Sequence, residues 1–143
     1  MKARERPAIN GVVETILYVN DLAAATAFYR DVLGLREMDG DGVRFRVFDA
    51  GAGRALLLFK RGATLVATSV PGGVIPPHDG SGPHHIGFAI AAAAYEAWRS
   101  QLEQAGVAIE SEASWARGGR SLYFRDPDGH LVELITPGIW EIY

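Results

Sequence analysis

Three side chains of this sequence combine the right chemistry to bind a divalent metal ion: Glu14, His85 and Glu133. Each lies in a segment that is otherwise apolar, where a carboxylate is costly unless water, a partner or a metal ion compensates its charge. Two carboxylates and a neutral imidazole balance the charge of a divalent cation. Nitrogen and oxygen ligands with open coordination positions suit manganese, iron, nickel or zinc. Two neighbouring oxygens of a substrate can fill the open positions, and the ion then acts as a Lewis acid.

The elements that must position these residues occur twice along the chain. Taken singly, a Glu on a strand is usually solvated and a His in a strand is usually structural, so the hypothesis depends on this repeat. The pattern of apolar residues predicts a strand, a helix and three further strands in each half. In the first half these cover residues 12–19, 22–33, 35–38, 43–48 and 54–59, and in the second half residues 84–90, 91–105, 107–110, 121–125 and 130–135.

The repeat predicts one α+β domain, residues 1–143, built from two βαβββ modules. The modules cover about residues 10–62 and 84–138, and residues 63–83 form a linker that ends in the Gly/Pro-rich stretch PGGVIPPHDGSGP. When the modules are aligned, Glu14 becomes equivalent to His85, and Leu57 becomes equivalent to Glu133. Side chains alternate between the two faces of a strand, so all four positions should lie on the face turned away from the helices.

Composition excludes several classes of function. The 143 residues contain no cysteine, which rules out disulfides, zinc–thiolate sites and cysteine nucleophiles. The net charge of -3 is too weak, and its basic residues too scattered, to predict a nucleic-acid partner. No apolar run approaches the roughly 20 residues of a membrane helix, and no signal peptide is visible at the start. We therefore expect a cytoplasmic protein without a membrane or nucleic-acid partner.

Three segments resemble the vicinal oxygen chelate superfamily over nearly the whole chain. They are ETILYVNDLAAATAFYRDVLGL from Glu14, HIGFAI from His85 and SLYFRDPDGHLVEL from Ser121. This superfamily includes glyoxalase I, methylmalonyl-CoA epimerase, fosfomycin-resistance transferases, extradiol dioxygenases and bleomycin-resistance proteins. The resemblance implies that the modules form a curved, incomplete barrel around a cavity, and that two chains pair as a homodimer whose modules line each cavity together. It also implies metal ligands at Glu14, His85 and Glu133.

The sequence departs from the better-known members at particular positions. Glu14 stands where the metal enzymes usually have His or Gln. Leu57 replaces the fourth ligand of glyoxalase I, and Ala113 or Ser114 lies near the position of a basic residue in the fosfomycin enzymes. Extradiol dioxygenases use two His and one Glu. These differences count against a standard glyoxalase I, a fosfomycin substrate and an extradiol dioxygenase.

Further residues are candidates for contacting a substrate. Tyr123 matches a position that faces the cavity in the fosfomycin-resistance group, and it is a catalytic candidate together with Glu14, which is either a ligand alone or also a proton acceptor. His78 in the Gly/Pro-rich stretch either lies over the cavity or is solvated. The substrate-binding candidates are Tyr18, Trp115, Ser121, Tyr123 and Arg120.

Two hypotheses from different classes follow. The first is an enzyme in which a divalent ion (Mn, Ni, Fe or Zn) binds a small oxygenated substrate and supports lyase, isomerase or transferase chemistry. The second is a metal-free protein of the bleomycin-resistance kind, which binds a drug or another small molecule in a dimer cleft. The three candidate ligands favour the first hypothesis, whereas the tryptophans and the long Gly/Pro-rich stretch favour the second.

Overall fold

The computed structural model describes Met1 and residues 4–143, and these residues form ten strands and two α-helices. Module 1 contains β1 (Glu14–Val19), α1 (Leu22–Ala27), a π-helical turn (Phe28–Val32), β2 (Arg36–Asp39), β3 (Phe45–Asp49) and β4 (Ala55–Lys60). The linker contains β5 (Thr68–Val70) and β6 (Gly73–Ile75). Module 2 contains β7 (His85–Ala89), a 3-10 turn (Ala92–Ala94), α2 (Tyr95–Gln104), β8 (Ser111–Ser114), β9 (Arg120–Arg125) and β10 (Leu131–Ile135).

Each module folds into a four-stranded sheet of the same topology. The strand orders are β1-β4-β3-β2 and β7-β10-β9-β8. In both sheets the first strand pairs in parallel with the last, and the remaining pairs are antiparallel. The predicted α+β fold of two βαβββ modules is confirmed.

The register of the two sheets is also the same. Glu14 pairs with Ala55 and Ile16 with Leu57 in module 1. In module 2, His85 pairs with Leu131 and Gly87 with Glu133. The strand pairing therefore makes Glu14 equivalent to His85 and Leu57 equivalent to Glu133, as the aligned repeat predicts.

Local signals in the sequence explain the first helix. Asp21 caps α1, because its carboxylate accepts a hydrogen bond from the backbone N–H of Ala24 at 3.0 Å. Gly34 ends the helical region with a φ of 72°, a conformation that glycine adopts without strain. The inner faces of β1 and β4 are fully buried at Leu17, Val19, Leu56 and Leu58. The helices thus cover one face of each sheet, and the opposite face, here called the open face, remains accessible.

Two segments differ from the prediction. Residues 107–110 were expected to be a strand, but β8 begins only at Ser111. The backbone N–H of Val107 still bonds to the carbonyl of Leu102 at the end of α2, and only Glu110 begins the pairing with β9. The apolar alternation at Val107 and Ile109 reflects packing of an irregular segment against the core. The linker, for which the sequence predicts a Gly/Pro-rich loop and no strand, contains the β5–β6 hairpin.

The β9–β10 turn of module 2 fastens the modules together. Its buried Asp126 accepts a hydrogen bond from the Tyr29 hydroxyl at 2.7 Å, and Asp128 accepts one from the backbone N–H of Asn20 at 2.6 Å. His130 is fully buried, and its Nε2 lies 2.7 Å from the carbonyl oxygen of Tyr18. Because the His130 Nδ1 accepts a bond from the backbone N–H of His84, its Nε2 carries the proton. Among the described residues, neither helix is long and apolar enough to cross a bilayer.

Candidate metal centre

The open face of module 2 brings two of the three candidate ligands together. His85 Nε2 lies 3.1 Å from Glu133 Oε1. The Glu133 side chain is only 8% exposed, whereas that of His85 is 53% exposed. Two atoms that each bind one ion at roughly 2.1 Å are separated by about 3 Å, so this spacing fits a pair of metal ligands. A buried carboxylate beside an imidazole is also the kind of nitrogen and oxygen donor set that divalent ions bind.

Tyr123 lies beside this pair. It is directly opposite Glu133 across β9 and β10, and its ring centre is 6.3 Å from that of His85. Burial and the neighbouring Glu133 carboxylate raise the pKa of the Tyr123 hydroxyl. Tyr123 therefore keeps its proton at neutral pH and can donate a hydrogen bond to a negatively charged oxygen.

Ser121 and Trp115 extend the same face away from the ligand pair. Ser121 is fully buried, and its hydroxyl oxygen accepts a hydrogen bond from the Trp115 indole N–H at 2.9 Å. Trp115 itself is 39% exposed. Its indole ring is thus held in a fixed position while part of its surface stays available for contact with a ligand.

Glu14 is not part of this cluster. It is exposed at the start of β1, in the other sheet. In the part of the chain that the structure describes, no group of three or more His, Cys, Asp or Glu side chains is close enough to hold a metal ion. A single chain therefore assembles the pair of His85 and Glu133 and leaves Glu14 at the equivalent place of the other module.

The open face of module 1 carries an aromatic cluster instead. The Tyr18 hydroxyl and His78 Nδ1 are joined by a hydrogen bond of 2.7 Å. The His78 ring meets Phe59 edge-on at 4.7 Å, and Phe59 stacks on Phe45 at 5.3 Å. Burial and the charge of Asp79 raise the pKa of Tyr18. The Gly/Pro-rich stretch thus folds back over β1 and places His78 beside Tyr18, which sequence periodicity does not reveal because the stretch has none.

Arg120 lies on the other side of its sheet from the other candidates. Its guanidinium is 3.7 Å from the centre of the Tyr95 ring and 3.3 Å from Glu96, both on α2. The alternation along β9 explains this position, since Ser121 and Tyr123 share one face and Arg120 shares the opposite face with Leu122 and Phe124. The structure therefore does not bring Arg120 to the ligand pair.

Comparisons with known proteins agree with this architecture. A lactoylglutathione lyase of known structure from Agrobacterium tumefaciens is 32% identical with a TM-score of 0.85, and the match covers 94% of this chain and 99% of that chain. The metallothiol transferase FosB of Shouchella clausii is 27% identical over 130 residues, which cover 90% of this chain and 81% of that protein. A variant of the fosfomycin resistance protein FosX from Listeria monocytogenes, crystallised with Mn(II) and 1S,2S-dihydroxypropylphosphonic acid, is 26% identical with a TM-score of 0.65 over 89% of this chain and 90% of that chain.

Most of the chain matches a single sequence family. Residues 11–134 match the family described as the Glyoxalase/Bleomycin resistance protein/Dioxygenase superfamily. This match covers nearly all of both modules and includes Glu14, His85 and Glu133. The chain belongs to the Glyoxalase/Bleomycin resistance protein/Dioxygenase superfamily, which is the vicinal oxygen chelate superfamily.

Proposed function

We propose that this protein is a divalent-metal-dependent enzyme of the lyase, isomerase or transferase type, and that it acts on a small substrate with two neighbouring oxygens. The observation that carries the proposal is the approach of His85 Nε2 to the buried Glu133 carboxylate at 3.1 Å. Manganese, nickel, iron and zinc all accept such ligands. Similarity to a FosX crystallised with Mn(II) supports a metal at this place, and similarity to a lyase and a transferase supports the reaction classes.

We further propose that the site is completed in a homodimer. Within one chain Glu14 is remote from the ligand pair but occupies the equivalent position on the other open face. Both open faces also present half-buried apolar side chains, including Ile16 and Leu57 in module 1 and Leu131 and Ile135 in module 2. If module 1 of one chain faces module 2 of the other, these surfaces become buried and the partner's Glu14 joins His85 and Glu133.

In this arrangement the residues have distinct roles. A divalent ion, when bound, would stabilise negative charge that develops on the substrate's oxygens. His85, Glu133 and the partner's Glu14 hold the ion, and Glu14 is also the candidate proton acceptor. Tyr123 donates its hydroxyl proton in a hydrogen bond to the charged oxygen, because its raised pKa keeps it protonated. Trp115 of one chain and Tyr18 of the other line the substrate space, and the buried Ser121 holds the Trp115 indole by accepting its N–H.

Metal content tests the proposal. Wild-type protein incubated with manganese, nickel, iron or zinc and then desalted should retain about one ion per chain, as measured by elemental analysis. Glu133→Gln should lower the affinity by at least about tenfold, because a ligand oxygen is replaced by a neutral amide. Glu103→Gln, which changes an exposed Glu on α2, is the matched control and should retain the ion. Equal retention by all three proteins would contradict the proposed site.

A second candidate function is metal-free binding of a flat ligand. The aromatic cluster of Tyr18, Phe45, Phe59 and His78 and the partly exposed Trp115 favour it, because stacked rings bind planar apolar molecules. A chelator distinguishes the two candidates. Removing a resident ion should lower the melting temperature of a metal-binding protein by mass action, whereas a metal-free binding protein should melt at the same temperature with and without the chelator.

A further inference from the structure

The two modules meet at two places related by the repeat, here called junctions, one at the β3–β4 turn and one at the β9–β10 turn. The side chains that the two turns contribute are different. The β3–β4 and β9–β10 turns have the same length, since Asp49 pairs with Ala55 and Arg125 with Leu131. Ala50, Ala52 and Arg54 are therefore the counterparts of Asp126, Asp128 and His130. The β9–β10 turn fills its junction with a buried carboxylate and a buried imidazole, and it bonds to Tyr18, Asn20 and Tyr29.

The junction at the β3–β4 turn contains a cavity instead. This cavity has a volume of about 550 Å³, within the range of roughly 300–1,000 Å³ that is common for small-molecule sites. Small residues of the turn form one wall, and module 2 supplies the opposite wall with Ile86, Phe88, Ile90 and Trp98. Side chains at Ala50 and Ala52 are too short to fill the space that Asp126 and Asp128 occupy in the other junction.

The cavity is separate from the candidate metal centre. Ile86 and Phe88 alternate along β7 with His85 and Gly87, so they lie on the helix-covered face of the sheet. Leu56 and Leu134, which also line the cavity, are buried on the same face. Gly87 and Ala89 also line the cavity along the edge of β7, but neither His85 nor Glu133 does.

The guanidinium of Arg54, at the rim of the cavity, indicates the charge of a ligand that would bind there. Arg54 lines the cavity and is exposed. Its guanidinium makes a hydrogen bond to the carbonyl of Ala52 at 3.3 Å, and it forms no salt bridge with the residues that the structure describes. An apolar cavity with an unpaired guanidinium at its mouth matches an apolar molecule that carries one anionic group.

We propose that this junction is a second binding site, which takes small amphipathic anions such as a medium-chain carboxylate or an aromatic sulfonate. The apolar body lies against Trp98, Phe88 and Ile86, and the anionic group binds Arg54. The site goes beyond the proposed metal-dependent function and does not depend on it, because none of the candidate metal ligands lines the cavity.

Fluorescence titration with anilinonaphthalene sulfonate tests this site, with excitation of tryptophan so that energy transfer reports binding of the probe, and the variants below assign the signal to the cavity. Ala50→Phe fills the cavity and should abolish the transfer signal, and Arg54→Gln should weaken binding by about tenfold through loss of a charge-assisted hydrogen bond. Lys60→Gln removes an exposed positive charge at the other end of β4 and should bind as the wild type does. Decanoate should displace the probe, whereas decylammonium should not.

The metal centre provides the second control. Glu133→Gln should leave probe binding unchanged, because Glu133 does not line the cavity. Wild-type affinity in both Ala50→Phe and Arg54→Gln would overturn the proposal, as would a loss of binding confined to Glu133→Gln. Arg54 is exposed, so the Arg54→Gln result remains decisive even if Ala50→Phe does not fold.

Discussion

Module 1 and module 2 have the same topology and the same strand register, but their equivalent positions carry different chemistry. On the open faces, His85 and Glu133 of module 2 converge, whereas Glu14 and Leu57 occupy the matching places in module 1. At the turns, Asp126 and His130 of module 2 are buried and hydrogen-bonded, whereas Ala50 and Arg54 border a cavity. The backbone of the repeat thus provides the same positions twice, and the side chains decide which of them are filled with hydrogen-bonded groups and which border open space.

The largest expected effect on stability comes from removing the Asp126 carboxylate from the junction at the β9–β10 turn. Asp126 is 5% exposed and accepts bonds from the Tyr29 hydroxyl and from the backbone N–H groups of Asp128 and His130. Asp126→Ala leaves these donors without a partner and should reduce the free energy of unfolding by about 3 kcal/mol. Ala50→Ser at the equivalent place of the other junction should change it by less than about 0.5 kcal/mol. Urea unfolding curves measure both, and equal effects would remove the contrast between the junctions.

A smaller effect on the free energy of unfolding is expected at high pH, where the hydrogen bond between Tyr95 of α2 and Glu112 of β8 is lost. Burial and a hydrogen bond to Glu112 raise the pKa of Tyr95 to about 12. The unfolded chain ionises first, near the ordinary value of about 10, so this contribution is present below pH 10 and is lost as the pH rises through 12. It amounts to roughly 2 kcal/mol. Urea unfolding of wild type and Tyr95→Phe at pH 9 and pH 12 should show the stability difference shrinking, and a constant difference would show that Tyr95 does not titrate as described.

A further prediction concerns the open faces, because only module 2 carries a carboxylate on its last strand, at Glu133. Leu57 is the counterpart of Glu133, and in the proposed dimer it lies on the same face as Glu14. Leu57→Glu should raise metal affinity by about tenfold, because it supplies a further oxygen ligand. Isothermal titration with manganese measures the affinity. Leu57→Ala, which adds no oxygen, is the matched control, and an equal gain in that variant would show that the added carboxylate does not bind the ion.

The smallest expected effect concerns the aromatic cluster of module 1. Tyr18→Phe removes the hydrogen bond to His78 and keeps the ring contact with Phe59, whose centre is 6.5 Å away. The free energy of unfolding should fall by about 1 kcal/mol. The variant should also shift the His78 resonances in NMR spectra, because Nδ1 loses its partner. Unchanged His78 resonances would indicate that the Gly/Pro-rich stretch does not hold His78 against Tyr18 in solution.

Local patterns were sufficient to predict the fold, because both modules use strong signals. Asp21 and Gly34 delimit the first helical region, and the paired sequences ETILYV and HIGFAI fix the register that makes Glu14 equivalent to His85. The start of β8 was misplaced since Val107 and Ile109 bury apolar side chains without pairing as a strand. The hydrogen bonds that His78 and His130 make to Tyr18 join residues 60 and 112 positions apart, and short-range periodicity contains no information about them.

Subunit complementation tests most directly whether two chains share the proposed metal centre. Glu14→Ala and Glu133→Ala chains with different affinity tags are mixed under exchange conditions, and the doubly tagged heterodimer is isolated and assayed for metal. If the partner's Glu14 completes the site, each homodimeric variant loses its ion, and the heterodimer regains one intact site and therefore about one ion per pair of chains. A heterodimer as empty as either parent would contradict the shared site.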